Sequence, residues 1–302
     1  MIQYVFPIMF AILAWWLSTA LIFFLDSLPP KTFRLSMLGA SVVLIISFWV
    51  IRATANDTTT TSAYLAFAAA LVVWGWQEMS FYMGYITGPR KQRCAAGCKG
   101  VPHFGHAVAA NIWHELAIIL AVLVIAWMTF DEANQVGLWT YLTLWLTHLS
   151  ARLNVFLGVR NINADFVPEH LQILKSFLRR KSMNLLFPFS ITAITVITAI
   201  VVDKARSAAP GFELTGLSLI ATILALAVLE HWFLMLPISS DRLWRWSLAG
   251  DKTSANDKKS SGIKRAVRLE PAVEQDMYST RIYANRLVPV GHGEAGAVIS
   301  RK

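Results

Sequence analysis

Four apolar stretches of the sequence carry the two side-chain types that ligate metals or exchange protons, carboxylate and imidazole. Glu78 stands in Trp74-Gly75-Trp76-Gln77-Glu78, His114 and Glu115 are adjacent, His148 lies within a third stretch, and Glu230 and His231 are adjacent in a fourth. Imidazole with carboxylate suits zinc, iron or manganese. A neutral imidazole also ligates haem iron or, by the same donor chemistry, the magnesium of a chlorophyll-type ring. Neither Glu-x-x-His nor His-Glu-x-x-His occurs in these stretches, so a ligand set would have to be assembled from separate helices. The alternative is a buried polar network that fixes helix register, at often less than about 1 kcal/mol per bond.

A second group of donors is polar in context. Cys94-Ala95-Ala96-Gly97-Cys98 is followed by His103 and His106. Two thiols and two imidazoles complete a tetrahedral zinc set. The spacing is unusual and His103-x-x-His106 is tight for a ligand pair, so two free thiols in a reducing cytoplasm are the other reading.

The elements that hold these groups follow from composition. Of 302 residues, 56% are hydrophobic and only 15% charged, with mean hydropathy +0.51. A soluble domain spends about a quarter of its residues on charge, so the chain lacks the charged skin of a water-soluble fold. It reads as an all-α, polytopic membrane helix bundle. Seven stretches approach the roughly 20 residues needed to cross the hydrocarbon: Val5–Leu25, Leu35–Ile51, Ser62–Ile86, Phe104–Phe130, Leu138–Gly158, Leu186–Val202 and Leu214–Ile238. The first has no basic stretch before it and no small-residue cleavage site after it, which predicts a retained helix.

The net charge of +9 would suggest nucleic acid in a soluble chain, but here it reports topology. Lys31, Arg34, Arg90, Lys91, Arg93, Lys99, Arg160, Lys175, Arg179, Arg180 and Lys181 fall in loops on one side, against Arg52, Lys204 and Arg206 on the other. Basic loops stay in the cytoplasm, so the expected arrangement has a periplasmic N-terminus and a cytoplasmic C-terminus. Phe166–Lys181 shows helical periodicity in Val167, Leu171, Leu174 and Leu178 and is expected to be a basic amphipathic helix in the headgroup region. Residues 1–250 are then the transmembrane bundle, and 251–302 a basic, flexible, disordered cytoplasmic tail. No internal repeat is evident, which disfavours an inverted-repeat carrier.

Helix rise of about 1.5 Å per residue puts Glu78, His114, His148 and Glu230 each roughly 12–15 Å from the cytoplasmic end of its span. Four helices thus deliver carboxylates and imidazoles to one layer. Neighbours on a helix point about 100° apart, so only one of His114 and Glu115, and one of Glu230 and His231, faces a common centre. Arg152, one turn from His148, is placed to snorkel or to pair with a carboxylate, and Asn154 to bond a neighbouring helix.

A resemblance is carried by Trp76-Gln77-Glu78-Met79-Ser80-Phe81, Thr87-Gly88-Pro89-Arg90, His114-Glu115-Leu116-Ala117 and Ala151-Arg152-Leu153-Asn154-Val155-Phe156-Leu157-Gly158-Val159. Pro168-Glu169-His170-Leu171 and Asp241-Arg242-Leu243-Trp244-Arg245-Trp246 extend it. Over roughly residues 5–248 the chain resembles the photosynthetic complex assembly protein 2 family, the E protein of the puh operon of purple phototrophic bacteria. The resemblance implies a protein of the bacterial inner (intracytoplasmic) membrane that helps assemble the reaction centre and its core antenna or modulates bacteriochlorophyll supply. It implies reaction-centre and light-harvesting subunits or pigment-synthesis proteins as partners, bacteriochlorophyll or a precursor as ligand, and no nucleic acid. Two functions follow: a non-enzymatic assembly factor that binds pigment or a nascent transmembrane subunit, or a metal-dependent membrane enzyme acting on a tetrapyrrole or isoprenoid. A small-molecule carrier is a third and weaker reading.

Overall fold

The computed structural model describes residues 2–95, 97–162 and 168–236. The chain divides into residues 1–253 and 254–302, and the second unit lies outside the described residues, as do the expected tail, the Asp241–Trp246 motif, Ile238, Phe166 and Val167. Among the described residues seven long helices follow one another: α1 (Ile2–Asp26), α2 (Phe33–Thr54), α3 (Thr60–Tyr82), α4 (Gly100–Met128), α5 (Val136–Leu157), α6 (Leu186–Ser207) and α7 (Phe212–Met235). No strand occurs among the described residues. One isolated parallel bridge joins Val159 to Arg180.

Five of the helices, α1, α2, α4, α6 and α7, are long and apolar enough to cross a membrane. Their outer faces expose large apolar side chains such as Leu35 at 74%, Ile45 at 69% and Trp127 at 77%, a surface that water does not tolerate but lipid does. The chain is an all-helical membrane protein. Helices α3 and α5 are of similar length but more polar, carrying Gln77, Glu78 and Ser80, and Thr147, His148, Ser150, Arg152 and Asn154.

The packing explains where that polarity goes. Helix α3 touches α1, α2, α4, α5 and α7, and α5 touches α3, α4, α6 and α7. The inner group is therefore α3, α5 and α7, ringed by the other four. Small residues of α3 let its backbone approach its neighbours: Ala63, Ala66, Ala69 and Ala70 are buried among Ala11, Ile51, Val73, Ile118, Leu219 and Ile223. Thr59 caps α3 by accepting the Ser62 N–H at 3.2 Å. Helix α5 stops at Gly158, whose φ of 115° lies in a region that side chains resist.

The expected amphipathic interfacial helix is corrected. Its described part, Glu169–Phe177, is a run of 3₁₀ turns with Leu171 off helical geometry. Leu171, Leu174 and Phe177 recur every three residues, which matches the 3₁₀ period rather than 3.6. Leu171 and Phe177 are buried. His170 Nε2 donates to the Tyr82 carbonyl oxygen at 2.7 Å, and the Cys94 N–H donates to Ser176 Oγ at 3.2 Å. The segment packs against the end of α3 and the loop that follows it.

Candidate functional site

Three of the residues singled out in the sequence meet inside the bundle. Glu78 Oε1 of α3 lies 3.7 Å from His114 Nε2 of α4 and 3.6 Å from His148 Nε2 of α5. One ligand atom from each residue falls within 4.8 Å of the other two. These separations are too long for hydrogen bonds. Glu78 Oε1 and both ring nitrogens of His114 are buried without a hydrogen-bond partner. Buried polar atoms are nearly always paired, so a set of orphans aimed at one point calls for a ligand.

The spacing suits an ion. With metal–nitrogen and metal–oxygen bonds of about 2.0–2.2 Å, the edge of a coordination tetrahedron is about 3.4 Å. Two imidazoles and one carboxylate are the donor set of mononuclear iron(II) and catalytic zinc sites, which leave further positions open. Aromatic rings hold the imidazoles in place. Phe81 lies 4.6 Å from the His114 ring and Trp74 meets the His148 ring edge-on at 5.2 Å. Both come from α3, about one turn to either side of Glu78.

Backbone outside the helices also positions α4. The loop Thr87-Gly88-Pro89-Arg90 lies against it, with the His114 N–H donating to the Thr87 carbonyl at 3.1 Å and the Arg90 N–H to the Ala109 carbonyl at 3.2 Å. A Cβ on Gly88 would sit well inside contact distance of the Ala109 carbonyl oxygen and 2.5 Å from the Ala110 carbonyl carbon. Gly88→Ala is therefore expected to destabilise the protein by about 3 kcal/mol or more, since the clash is with backbone that cannot rotate away. A thermal unfolding midpoint in detergent equal to that of the unsubstituted protein would refute it.

The other sequence candidates separate into local pairs. Arg152 Nη1 donates to Glu115 Oε1 at 2.6 Å, and its guanidinium lies 5.3 Å from the Phe81 ring centre. His231 Nδ1 donates to the Ala227 carbonyl at 2.8 Å, which leaves Nε2 to accept the Ser150 hydroxyl at 3.0 Å. Its hydrogen bonds tie α7 to α5, and it does not join the triad. Asn154 Nδ2 donates to the Ser150 carbonyl at 2.9 Å and to Ser190 Oγ at 3.0 Å, linking α5 to α6. Glu230 is exposed and borders a cavity of about 420 Å³ that His148, Glu115 and Arg152 also line. That volume lies within the usual range for small-molecule sites.

The cysteine–histidine group is also drawn together. Cys94 Sγ lies 3.3 Å from His103 Nδ1 and 3.4 Å from His106 Nδ1, and Cys98 Sγ lies 3.5 Å from His106 Nδ1. A hydrogen bond with Cys94 keeps the Cys98 thiol protonated above its ordinary range, while Arg90 and Arg179 pull the other way. The tight His103-x-x-His106 spacing is no obstacle, because α4 has begun at Gly100 and residues three apart share a helix face.

Sequence reasoning missed the positioning roles of Trp74, Phe81 and Ser150. It also missed Asp26, whose two carboxylate oxygens are buried without hydrogen-bond partners. A carboxylate closing an apolar span was the available signal.

Comparison with known proteins adds kinship. Residues 1–255 match the family described as "Protein of unknown function (DUF3623)". A relative from Rhodobacter capsulatus, named "Uncharacterized 30.4 kDa protein in puhA 5'region", is 36% identical over 241 residues, covering 78% of this chain and 88% of the relative. No solved structure matches.

Proposed function

Since this chain belongs to the DUF3623 family and has a relative named for a puhA 5' region, we propose that it serves formation of the bacterial photosynthetic apparatus as a metal-binding factor of the membrane interior. In this reading Glu78, His114 and His148 hold one divalent transition-metal ion. The adjoining cavity, with Glu115, Arg152 and Glu230 on its walls, receives a lipophilic ligand such as a pigment or part of a nascent transmembrane subunit. The protein crosses the inner membrane seven times, with α3 and α5 sheltered by the five more apolar helices. The partners are reaction-centre and light-harvesting subunits or pigment-synthesis proteins.

One observation carries the reading: donor atoms from three helices converge, and two of them, Glu78 Oε1 and His114 Nε2, are buried without a hydrogen-bond partner. A buried network that merely fixed register would satisfy its own hydrogen bonds, as both ring nitrogens of His231 do.

A second reading draws on the position of His148. It is the most exposed member of the triad, at 26% of its side chain against 12% and 0% for Glu78 and His114, and it lines the cavity. It could thus serve as axial ligand to the magnesium of a bacteriochlorophyll or precursor lying against that wall. Protein purified in mild detergent from pigment-producing cells separates the readings. Stoichiometric iron, zinc or manganese that survives in the Cys94→Ser, Cys98→Ser double variant supports the metal site. A tetrapyrrole absorption band without that metal favours the axial-ligand reading, and protein that is both colourless and metal-free defeats both.

A further inference from the structure

Outside the membrane triad, the loop after α3 and the first turns of α4 bring Cys94, Cys98 and His106 to one point, with His103 beside Cys94. We propose that Cys94, Cys98, His103 and His106 bind a structural zinc(II) ion, separate from the triad and chemically distinct from it. With zinc–sulfur bonds of about 2.3 Å and zinc–nitrogen bonds of about 2.0–2.1 Å, a tetrahedral site has sulfur–nitrogen edges of about 3.6 Å. The three sulfur–nitrogen separations are 3.3, 3.4 and 3.5 Å. The Cys94, Cys98 and His106 donor atoms already lie within 4.8 Å of one another. His103, whose Nδ1 reaches Cys94 Sγ, supplies the fourth donor.

The chemistry suits zinc above the harder metals. Two thiolates select zinc, copper(I) or iron–sulfur chemistry over magnesium or manganese, and a closed S₂N₂ set is the pattern of structural zinc. Two thiolates cancel the charge of the ion, so the filled site is neutral.

The surroundings indicate what the ion would stabilise. Cys94 packs with Ala107, Ala110, Phe156, Leu174 and Phe177, and its N–H is held by Ser176. His103 stacks on Phe156 at 5.4 Å and lies 5.7 Å from the Phe177 ring. Ala107, Phe156, Leu174 and Phe177 also form the wall of the 420 Å³ cavity. Zinc would thus fasten the loop, the start of α4 and the 3₁₀ segment into one edge of that cavity.

The test uses the full chain purified in detergent, with zinc measured by elemental analysis and cobalt(II) substituted as a spectroscopic probe. One equivalent of zinc that persists in Glu78→Gln and is lost from the Cys94→Ser, Cys98→Ser double variant is the expected result. The cobalt protein should then show the intense visible bands of tetrahedral thiolate coordination, a readout on the unsubstituted chain that does not depend on any variant folding. Zinc content undiminished by the double substitution, or a cobalt spectrum without thiolate character, overturns the assignment. So does a Cys94–Cys98 disulfide in metal-free protein prepared without reductant.

Discussion

Glu78→Gln should empty the intramembrane metal site while leaving the bundle folded, with metal affinity at the triad falling by more than about 100-fold. The amide keeps the size of the carboxylate and removes its negative charge, and losing an outer-shell partner alone costs metal sites about 10–100-fold. The loss of a direct anionic donor exceeds that. His148→Ala should act in the same direction, because it removes one of the two nitrogens within 3.7 Å of Glu78 Oε1. His231→Leu is the informative control. That imidazole is as buried as the one of His114, yet its nitrogens are occupied by Ser150 and Ala227. Its loss should cost about 0.6–1.7 kcal/mol of stability and no metal. Metal content by elemental analysis, alongside unfolding in detergent, reads both quantities. Equal metal in the Glu78→Gln and His231→Leu proteins would show the triad to be a polar packing cluster and nothing more.

The helices and the triad were legible to different depths, for reasons that lie in what each signal measures. Each of the seven apolar stretches overlaps a long helix among the described residues, and five of these helices are apolar enough to cross a membrane, but hydropathy misjudged their ends. Helix α6 runs to Ser207, past the expected Val202, because Asp203, Lys204 and Arg206 can continue a helix beyond the apolar part. Helix α3 stops at Tyr82, short of the expected Ile86, where Gly84 takes a φ of 82° and the chain turns into the loop against α4.

Depth was legible for the site, since the rise per residue is fixed, and it brought Glu78, His114 and His148 to one layer. Direction around the helix axis was not. Only packing decides that His114 rather than Glu115 faces Glu78, and that Glu230 is exposed while His231 bonds to α5. The zinc ligands posed the opposite problem. Their residue types were plain, but their spacing looked wrong until Gly97, with a φ of 86°, and the helix start at Gly100 folded the intervening residues.

The ion pair of Glu115 and Arg152 should respond asymmetrically to removal of its partners. Removing one member of a fully buried pair costs about 3–5 kcal/mol, because the other charge is left without compensation, and this part-buried pair should show the same effect at smaller size. A carboxyl group stranded in an apolar setting can neutralise itself by taking up a proton, whereas a guanidinium cannot shed one. Glu115→Leu is therefore expected to destabilise more than Arg152→Leu. The double variant Glu115→Leu, Arg152→Leu should recover most of the loss, since replacing both charges by apolar groups is often neutral or favourable. The consequence reaches the triad. Arg152 stacks over Phe81, and Phe81 in turn packs on the His114 ring. The double variant, though stable, should therefore bind metal at the triad less tightly, because the ring that steadies His114 loses its own support. Unfolding in a denaturing detergent titration gives the stabilities of the four proteins, and metal competition gives their affinities. Equal destabilisation by the two single variants would mean that water or lipid headgroups reach the pair and that the charges are not confined to the bilayer interior.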